Sequence, residues 1–207
     1  MNLFNFPRSS ASYRVRIACA LKGLDPTIVP VNFREDAQRS SAFLRVNASG
    51  LVPALETDDG KSLTQSLVII GYLDQIAPEP RLFPENPERA LRANEIALAI
   101  ACDIHPLNNL RVLTYLRETF SADDDAIDTW IGNWVQLGFQ GVETLVARQR
   151  GQYCLGDHVT IADCCLVPQM YNARRFGVDL TAFPNLVEID ASLNAIPEIA
   201  GASPEAL

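Results

Sequence analysis

Between a short apolar segment and a segment with helical periodicity, the sequence reads Phe6-Pro7-Arg8-Ser9-Ser10-Ala11-Ser12-Tyr13-Arg14-Val15-Arg16. Apolar residues from 2 to 6 predict a first strand, and the apolar spacing from 12 to 22 predicts the first helix. The serines therefore fall at the turn where the strand meets the helix. A hydroxyl there lies near the positive end of the helix dipole and can stabilise an anion, although a serine at this place also serves simply as an N-cap.

Downstream, strand-like and helix-like segments alternate up to about residue 80. Strands are predicted at residues 27–31, 54–57 and 61–64, and helices at 41–45 and 66–75. Asp58-Asp59-Gly60 joins the last two strands and is typical of a tight hairpin. The order β-α-β-α-β-β-α predicts a compact α/β domain, in which a parallel βαβ unit is followed by a hairpin and a covering helix.

A domain boundary is indicated by four prolines close together: Pro78, Pro80, Pro84 and Pro87. Beyond them almost no strand signal remains, and helices are predicted at residues 89–116, 126–150, 161–176 and 186–195. Asp123-Asp124-Asp125 is expected to cap one of these helices, and Thr160 with Asp163 to form a capping box before another. We therefore expect an α/β domain at 1–80, a linker at 81–87 and an all-helical domain at 88–207.

The formal net charge of −8 argues against non-specific nucleic-acid binding, although a local cluster of arginines can bind carboxylates in an acidic protein. No stretch has the roughly 18 consecutive apolar residues of a membrane span, and the N-terminus shows no secretory signal. The five cysteines lie mostly in apolar stretches and predict reduced thiols in the cytoplasm. The sequence has no Cys-x-x-Cys pair, which argues against a thioredoxin-type redox role. Because His105 and His158 also lie far apart in sequence, a metal site is not expected.

Two further turns carry candidate ligand-binding groups. Pro53 precedes a predicted strand in Gly50-Leu51-Val52-Pro53-Ala54-Leu55; with a cis bond, Val52 would offer its backbone N–H and C=O to an extended peptide. An ordinary strand-initiating proline is the alternative. Gln65 and Ser66 begin the last predicted helix of the first domain, where backbone N–H groups and the Ser66 hydroxyl could hold a carboxylate or merely cap the helix.

Longer motifs extend over nearly the whole chain: Arg8-Ser9-Ser10-x-Ser12-x-Arg14-Val15-Arg16-Ile17-Ala18, Leu21-Lys22-Gly23, Gln65-Ser66-Leu67-x-Ile69-Ile70-x-Tyr72-Leu73, Ile104-His105-Pro106-Leu107-Asn108-Asn109, Leu166-Val167-Pro168-Gln169 and Asn172-Ala173-x-Arg175-Phe176. Together they resemble the zeta class of glutathione transferases, the family of maleylacetoacetate and maleylpyruvate isomerases. The resemblance implies a thioredoxin-like N-terminal domain, an all-helical C-terminal domain, a cis-Pro53, glutathione as the cofactor and a homodimer.

The resemblance also implies roles for single positions. Ser9 matches the serine whose hydroxyl points at the glutathione sulfur, and Arg8 and Ser10 stand beside it as catalytic candidates. Arg8, Arg111 and Arg175 are candidate clamps for a substrate with two carboxylates, because guanidinium groups bind carboxylates bidentately. A surface or interdomain salt bridge is an equal alternative for Arg175. The positions matching glutathione contacts are Ser9, Ser10, Gln38, Val52, Pro53, Gln65, Ser66, His105 and Asn109.

The implied activity is glutathione-dependent cis-trans isomerisation of a maleyl keto acid, maleylacetoacetate or maleylpyruvate, to the fumaryl form in aromatic-compound catabolism. Ala11 replaces the last residue of the family's Ser-Ser-Cys motif, so glutathione would be the only thiol nucleophile. Residues 102–109 resemble the corresponding segment of maleylpyruvate isomerases more closely than that of maleylacetoacetate isomerases. Two alternatives stay open: a general transferase or dehalogenase for small electrophiles such as α-halo acids, and a non-catalytic glutathione-binding protein.

Overall fold

The structure is a computed structural model that describes residues 1–149 and 151–206. The chain divides into two compact units, one made of Met1–Phe83 with the C-terminal segment that begins at Ala195, and one made of Pro84–Asn194. The prediction from the sequence placed the C-terminal segment in the helical domain. It lies with the first unit instead, where the buried Arg16 Nε donates to the Ala202 carbonyl at 3.0 Å. The predicted helix 126–150 and the predicted helical domain 88–207 each end at a residue, 150 and 207, that lies outside the described residues.

The first unit contains a four-stranded sheet in the order β2-β1-β3-β4. β1 and β2 are parallel, and the other neighbouring pairs are antiparallel. This confirms the predicted α/β class and element order, to which the structure adds short 3₁₀ helices at Phe33–Glu35 and Ala37–Arg39. The elements are β1 (Asn2–Asn5), α1 (Ser10–Leu21), β2 (Thr27–Pro30), α2 (Ser41–Val46), β3 (Ala54–Glu56), β4 (Ser62–Thr64) and α3 (Ser66–Ile76).

The ends of these elements follow from local sequence. Ser9 caps α1, and the helix stops at Lys22 because Gly23 takes a φ of 62°, a left-handed conformation that suits glycine. The hairpin between β3 and β4 turns at Gly60, whose φ is 81°.

A buried ion pair ties the first helix to the end of the unit. Lys22 Nζ lies 2.7 Å from Asp74 Oδ1 and also donates to the carbonyls of Ala77 and Pro80. Asp74 in turn accepts from the Leu82 amide at 2.8 Å. Because every charged group here has several partners, the burial of both charges is compensated.

The second unit is helical in the part of the chain that is described, apart from one isolated bridge between Tyr153 and Gly156. No helix among the described residues is long and apolar enough to cross a membrane. The α-helices of the second unit are α4 (Pro87–Leu98), α5 (Leu110–Phe120), α6 (Asp124–Ala147), α7 (Ile161–Arg175) and α8 (Pro184–Asn194). The short helix α9 (Pro197–Gly201) belongs to the first unit.

The single helix predicted over residues 89–116 was wrong. After α4 the backbone passes through a π-helical stretch at Ala99–Ile104 and a 3₁₀ turn at His105–Asn108 before α5 begins. Pro106 has no N–H to continue the helical ladder, and the Asn109 side chain caps a new helix by accepting from the Arg111 amide at 3.2 Å.

The predicted caps of α6 and α7 are confirmed. Asp123 accepts from the Ala126 amide at 2.9 Å. At α7 the Asp163 carboxylate accepts from the amides of Cys154 and Thr160 at 2.9 and 2.7 Å and from the Thr160 hydroxyl, completing the capping box. Burial raises the pKa of Asp163 despite these hydrogen bonds, which act in the opposite direction.

Candidate active site

The register of the sheet brings several predicted residues of the first unit to one edge. Phe4 in β1 lies opposite Ala54 in β3, and Ala54 lies opposite Thr64 in β4. Because neighbouring antiparallel strands run in opposite directions, the end of β1, the start of β3 and the end of β4 share this edge. The adjoining segments, residues 8–10, 52–53 and 65–66, are therefore close together in the fold.

Ser9 is the N-cap of α1, and its Oγ accepts from the Ser12 amide at 3.2 Å. A hydroxyl that accepts through a lone pair keeps its proton, so Ser9 can cap the helix and still donate to an anion. Ser9 is half-buried, whereas the next residue, Ser10, is buried. The first turn of α1, residues 10–13, contains no acidic residue, so the side chains of that turn do not neutralise the positive end of the dipole.

The Val52–Pro53 peptide is cis, as the resemblance implied. Val52 is buried and packs with Val31 and Phe43, and Phe6 from the segment after β1 packs against this cluster. Among the described residues, the Val52 amide donates to no other group. An extended peptide is the kind of partner that a backbone group at the margin of a sheet accepts.

The start of α3 also lies at this edge. Gln65 occupies the N-cap position with a φ of 70° and makes no side-chain capping bond within the described part of the chain. Ser66, the first residue of α3, is buried, and its Oγ accepts from Arg14 Nη1 at 3.3 Å. The first helical amides have no partner inside the helix, so this N-terminus suits a carboxylate.

Gln38 lies in the 3₁₀ helix Ala37–Arg39, after the end of β2. Its Nε2 donates to Asp36 Oδ1 at 3.1 Å, while its Oε1 is buried without a partner among the described residues. The Gln38 carbonyl would lie 3.1 Å from a Cβ at Gly50, whose φ is 63°, so a side chain at position 50 would be both strained and crowded.

In the second unit, two of the predicted site residues flank the turn that breaks the helix. His105 is the half-buried first residue of the 3₁₀ turn, and Asn109 caps α5. Trp130 Nε1 donates to the Leu107 carbonyl at 2.8 Å and so attaches the turn to α6. Arg111, in the first turn of α5, is exposed.

Arg175 lies elsewhere in the second unit, at the end of α7. Its guanidinium stands 4.9 Å from the centre of the Phe176 ring, an arrangement typical of a cation–π contact. The salt bridge considered for Arg175 is formed instead by its neighbour Arg174, which pairs with Asp190. Arg175 has no ion pair among the described residues.

Sequence reasoning missed two buried polar residues next to the predicted ones. Arg14 is 2% exposed, and its Nε and Nη2 have no partner within the described part of the chain. Asn108 is 8% exposed, and both atoms of its amide are likewise unpaired there. For Arg14 the available signal was a charged residue among the apolar residues that give α1 its helical spacing.

Comparison with known proteins agrees with this architecture. The family model for the glutathione S-transferase N-terminal domain matches residues 8–76. The chain is 43% identical over 208 residues to the maleylpyruvate isomerase of a Ralstonia species, covering 100% of this chain and 98% of that one. The chain belongs to the zeta class of glutathione transferases. Relatives of the chain bear the names maleylpyruvate isomerase and maleylacetoacetate isomerase.

Two solved structures superpose closely on this chain. A holo maleylpyruvate isomerase, described as a bacterial zeta-class glutathione transferase, has a TM-score of 0.96 and 42% identity, with 100% and 98% of the two chains covered. The maleylacetoacetate isomerase of Methylobacterium extorquens, solved with bound malonate and glutathione, also has a TM-score of 0.96, with 34% identity and the same coverage. Malonate is a dicarboxylate, and glutathione is a carboxylate-bearing tripeptide with a thiol.

Proposed function

We propose that this chain is a glutathione-dependent cis-trans isomerase that converts maleylpyruvate or maleylacetoacetate to the fumaryl form in aromatic-compound catabolism. The observation that carries the proposal is the half-buried Ser9 hydroxyl, which caps α1 and keeps its proton at the positive end of that helix. The zeta-class relatives that bear the names of these two isomerases support it.

The edge of the sheet in the first unit fits glutathione group by group. The N-terminus of α3 with Ser66 suits the γ-glutamyl carboxylate, the Val52 backbone suits the peptide, and the Ser9 hydroxyl suits a sulfur anion. The unpaired Gln38 Oε1 can accept from one further N–H of the tripeptide. The remaining residues that we assign to the glutathione site are Ser10, Pro53, Gln65, His105 and Asn109.

Bound glutathione supplies the thiolate that adds reversibly to the cis double bond and thereby permits rotation to the trans form. The task of Ser9 is to favour thiolate over thiol. Lowering a thiol pKa of about 8.5 by about two units corresponds to about 2.7 kcal/mol. One hydrogen bond to a charged group, together with the end of a helix dipole, is of that size. Because Ala11 has no thiol, the catalytic segment offers no competing nucleophile.

We assign the binding of the two substrate carboxylates to Arg8, Arg111 and Arg175. All three are exposed, and they pair with no acidic side chain among the described residues, so their guanidinium groups are available to a diacid. Arg8 directly precedes Ser9, the residue that we assign to the reacting sulfur. We place Arg8 and Ser10 with Ser9 in the catalytic segment.

The deciding experiment is an assay of fumaryl product from maleylpyruvate and from maleylacetoacetate, with and without glutathione. We expect turnover of at least one of the two only when glutathione is present. A protein that instead releases halide from α-halo acids, with no fumaryl product, would be the general transferase. A protein whose melting temperature rises with glutathione but that turns over neither class would be the non-catalytic binding protein.

We further propose a cytoplasmic homodimer. The five cysteines form no disulfide among the described residues, and four of them are buried, which suits a reducing compartment. Large apolar side chains are exposed on α3 at Val68 and on α4 at Leu91 and Leu98, and such residues suit a subunit interface. Light scattering coupled to size exclusion would measure the mass, and a mass near that of one chain would contradict the dimer.

A further inference from the structure

Arg14 is a buried cation for which the described chain provides no counter-ion. It lies in α1 and is 2% exposed. Nη1 donates to Ser66 Oγ at 3.3 Å, a long hydrogen bond to a neutral group, while Nε and Nη2 have no partner in the part of the chain that is described. Burying a charge without a partner is strongly unfavourable, so the fold keeps this guanidinium in a place where an added anion would stabilise it.

The hydrogen bond that Arg14 donates is accepted at the N-terminus of α3. Ser66 is the first residue of this eleven-residue helix, and its first turn, residues 66–69, carries no acidic side chain. The amides of the first three residues have no partner within the helix. Positive charge from the guanidinium and from the helix dipole therefore meets at the Ser66 hydroxyl.

Arg16 shows that the chain can satisfy a buried guanidinium on the same helix. It is 5% exposed, two residues beyond Arg14. Its three nitrogens donate to the Ala202 carbonyl at 3.0 Å, to Asn5 Oδ1 at 2.8 Å and to the Pro7 carbonyl at 3.1 Å. Arg16 is thus bound on all sides by the protein, whereas Arg14 is not. The difference indicates that the charge of Arg14 serves a bound anion and not the fold alone.

We propose that Arg14 is a positioning residue for the α-carboxylate of the γ-glutamyl group of glutathione. By donating to Ser66 Oγ, Arg14 occupies a lone pair of that hydroxyl and directs its proton toward the carboxylate. Its charge adds to the dipole of α3 and strengthens the hydrogen bonds that the carboxylate accepts. The inference rests on the proposed function, because it specifies how the same glutathione site recognises one end of its ligand.

The test compares affinity with stability in Arg14→Met and in the matched control Arg16→Met. Isothermal titration should show that Arg14→Met raises the Kd for glutathione by roughly tenfold to a hundredfold, the range for a lost charge-assisted hydrogen bond. The melting temperature of unliganded Arg14→Met should equal or exceed that of the wild type, because an unpaired buried charge has been removed. Arg16→Met should melt at a lower temperature, because three oxygen acceptors lose their donors.

Two ligand analogues show whether the effect belongs to the carboxylate. Glutaryl-Cys-Gly keeps the carboxylate and lacks the amine, and 4-aminobutanoyl-Cys-Gly lacks the carboxylate and keeps the amine. Arg14→Met should weaken glutaryl-Cys-Gly as strongly as glutathione, but should change the Kd of 4-aminobutanoyl-Cys-Gly by less than about twofold, because the coupled partner is absent. If Arg14→Met does not fold, Arg14→Lys should show the same dependence on the carboxylate with a smaller loss.

The outcomes separate this inference from the proposed function. Equal losses with all three ligands, or a fall in melting temperature of Arg14→Met as large as that of Arg16→Met, would make Arg14 a structural residue and overturn the inference. A wild type that binds glutathione and an Arg14→Met variant that binds it equally well would overturn the inference alone. A wild type that does not bind glutathione would overturn the proposed function and this inference with it.

Discussion

The N-termini of α3 and α7 are built in opposite ways. At α7, Thr160 caps the helix and the Asp163 carboxylate in the first turn accepts three hydrogen bonds, so the chain supplies its own negative charge. At α3, the first turn is free of acids, and the buried guanidinium of Arg14 donates to the Ser66 hydroxyl. A helix N-terminus compensated by its own carboxylate serves the fold, whereas one left positive is suited to an external anion.

The N-terminus of α1 lies between these two cases. Ser9 caps it as Thr160 caps α7, but no carboxylate follows in its first turn. Its hydroxyl is half-buried at the edge of the sheet, whereas Thr160 is 2% exposed and donates to Asp163. The capping hydroxyl at α7 already donates to a carboxylate of the chain, whereas the one at α1 can still donate to a ligand. We call this second N-terminus open. Substitutions at four positions test this contrast.

The largest effect is expected from Asp163→Ala at α7. It leaves the buried amides of Cys154 and Thr160 without an acceptor, and should lower the free energy of unfolding by about 3 kcal/mol or more. Urea denaturation measures this loss, and kcat/KM per folded molecule should stay unchanged. The control Asp128→Ala removes an exposed acid from α6 and should change stability by less than about 0.5 kcal/mol. Loss of activity in folded Asp163→Ala would give α7 a role in the site.

At α1 the expected effect is on catalysis. Ser9→Ala should lower kcat/KM by about a hundredfold, because the thiolate loses a directed donor. It should also cost about 1 kcal/mol of stability through loss of the cap, whereas Ser9→Gly should cost only a few tenths of a kcal/mol. Steady-state kinetics of both variants separate the two roles. If Ser9→Gly were as active as the wild type, the hydroxyl would serve only as a cap.

A smaller effect is expected at Arg8, beside the open N-terminus of α1. Arg8→Ala should raise KM for the maleyl diacid about tenfold and KM for glutathione much less, because a guanidinium binds carboxylates bidentately. Arg34→Ala, which removes an exposed arginine from the 3₁₀ helix at Phe33–Glu35, is the matched control and should change neither KM. An equal rise in both KM values for Arg8→Ala would remove the clamp role.

The smallest catalytic effect is expected from Ala11→Cys, which restores the family's cysteine in the first turn of α1. Isomerase activity should change by less than about threefold, because glutathione remains the nucleophile. The new thiol should react quickly with a disulfide reagent, since a helix N-terminus lowers a thiol pKa. Cys19 on the same helix should react slowly by comparison, because its burial and, to a smaller extent, the charge of Asp25 raise its pKa to about 12. Slow labelling of Ala11→Cys would show that this N-terminus does not favour thiolates.

Several features of the fold could be predicted from the sequence because each depends on a few neighbouring residues. The caps at Asp123 and Thr160, the stop at Gly23 and the hairpin at Gly60 all follow from local backbone chemistry. The break before α5 was also local, and Pro106 was its available signal. The long apolar periodicity around it concealed that signal, since periodicity alone does not register a missing N–H.

By itself, the sequence determined the order of the strands and α-helices in the first unit, the α/β and helical composition of the two parts, and the family to which the chain belongs. Only the tertiary structure decided that Arg14 lies against Ser66, 52 residues away, without a counter-ion, while Arg16 is satisfied by Ala202, 186 residues away. It also decided that the segment from Ala195 lies with the first unit. Capping and periodicity arise from contacts within a few residues, whereas burial and the pairing of charges depend on what distant segments bring to the same place.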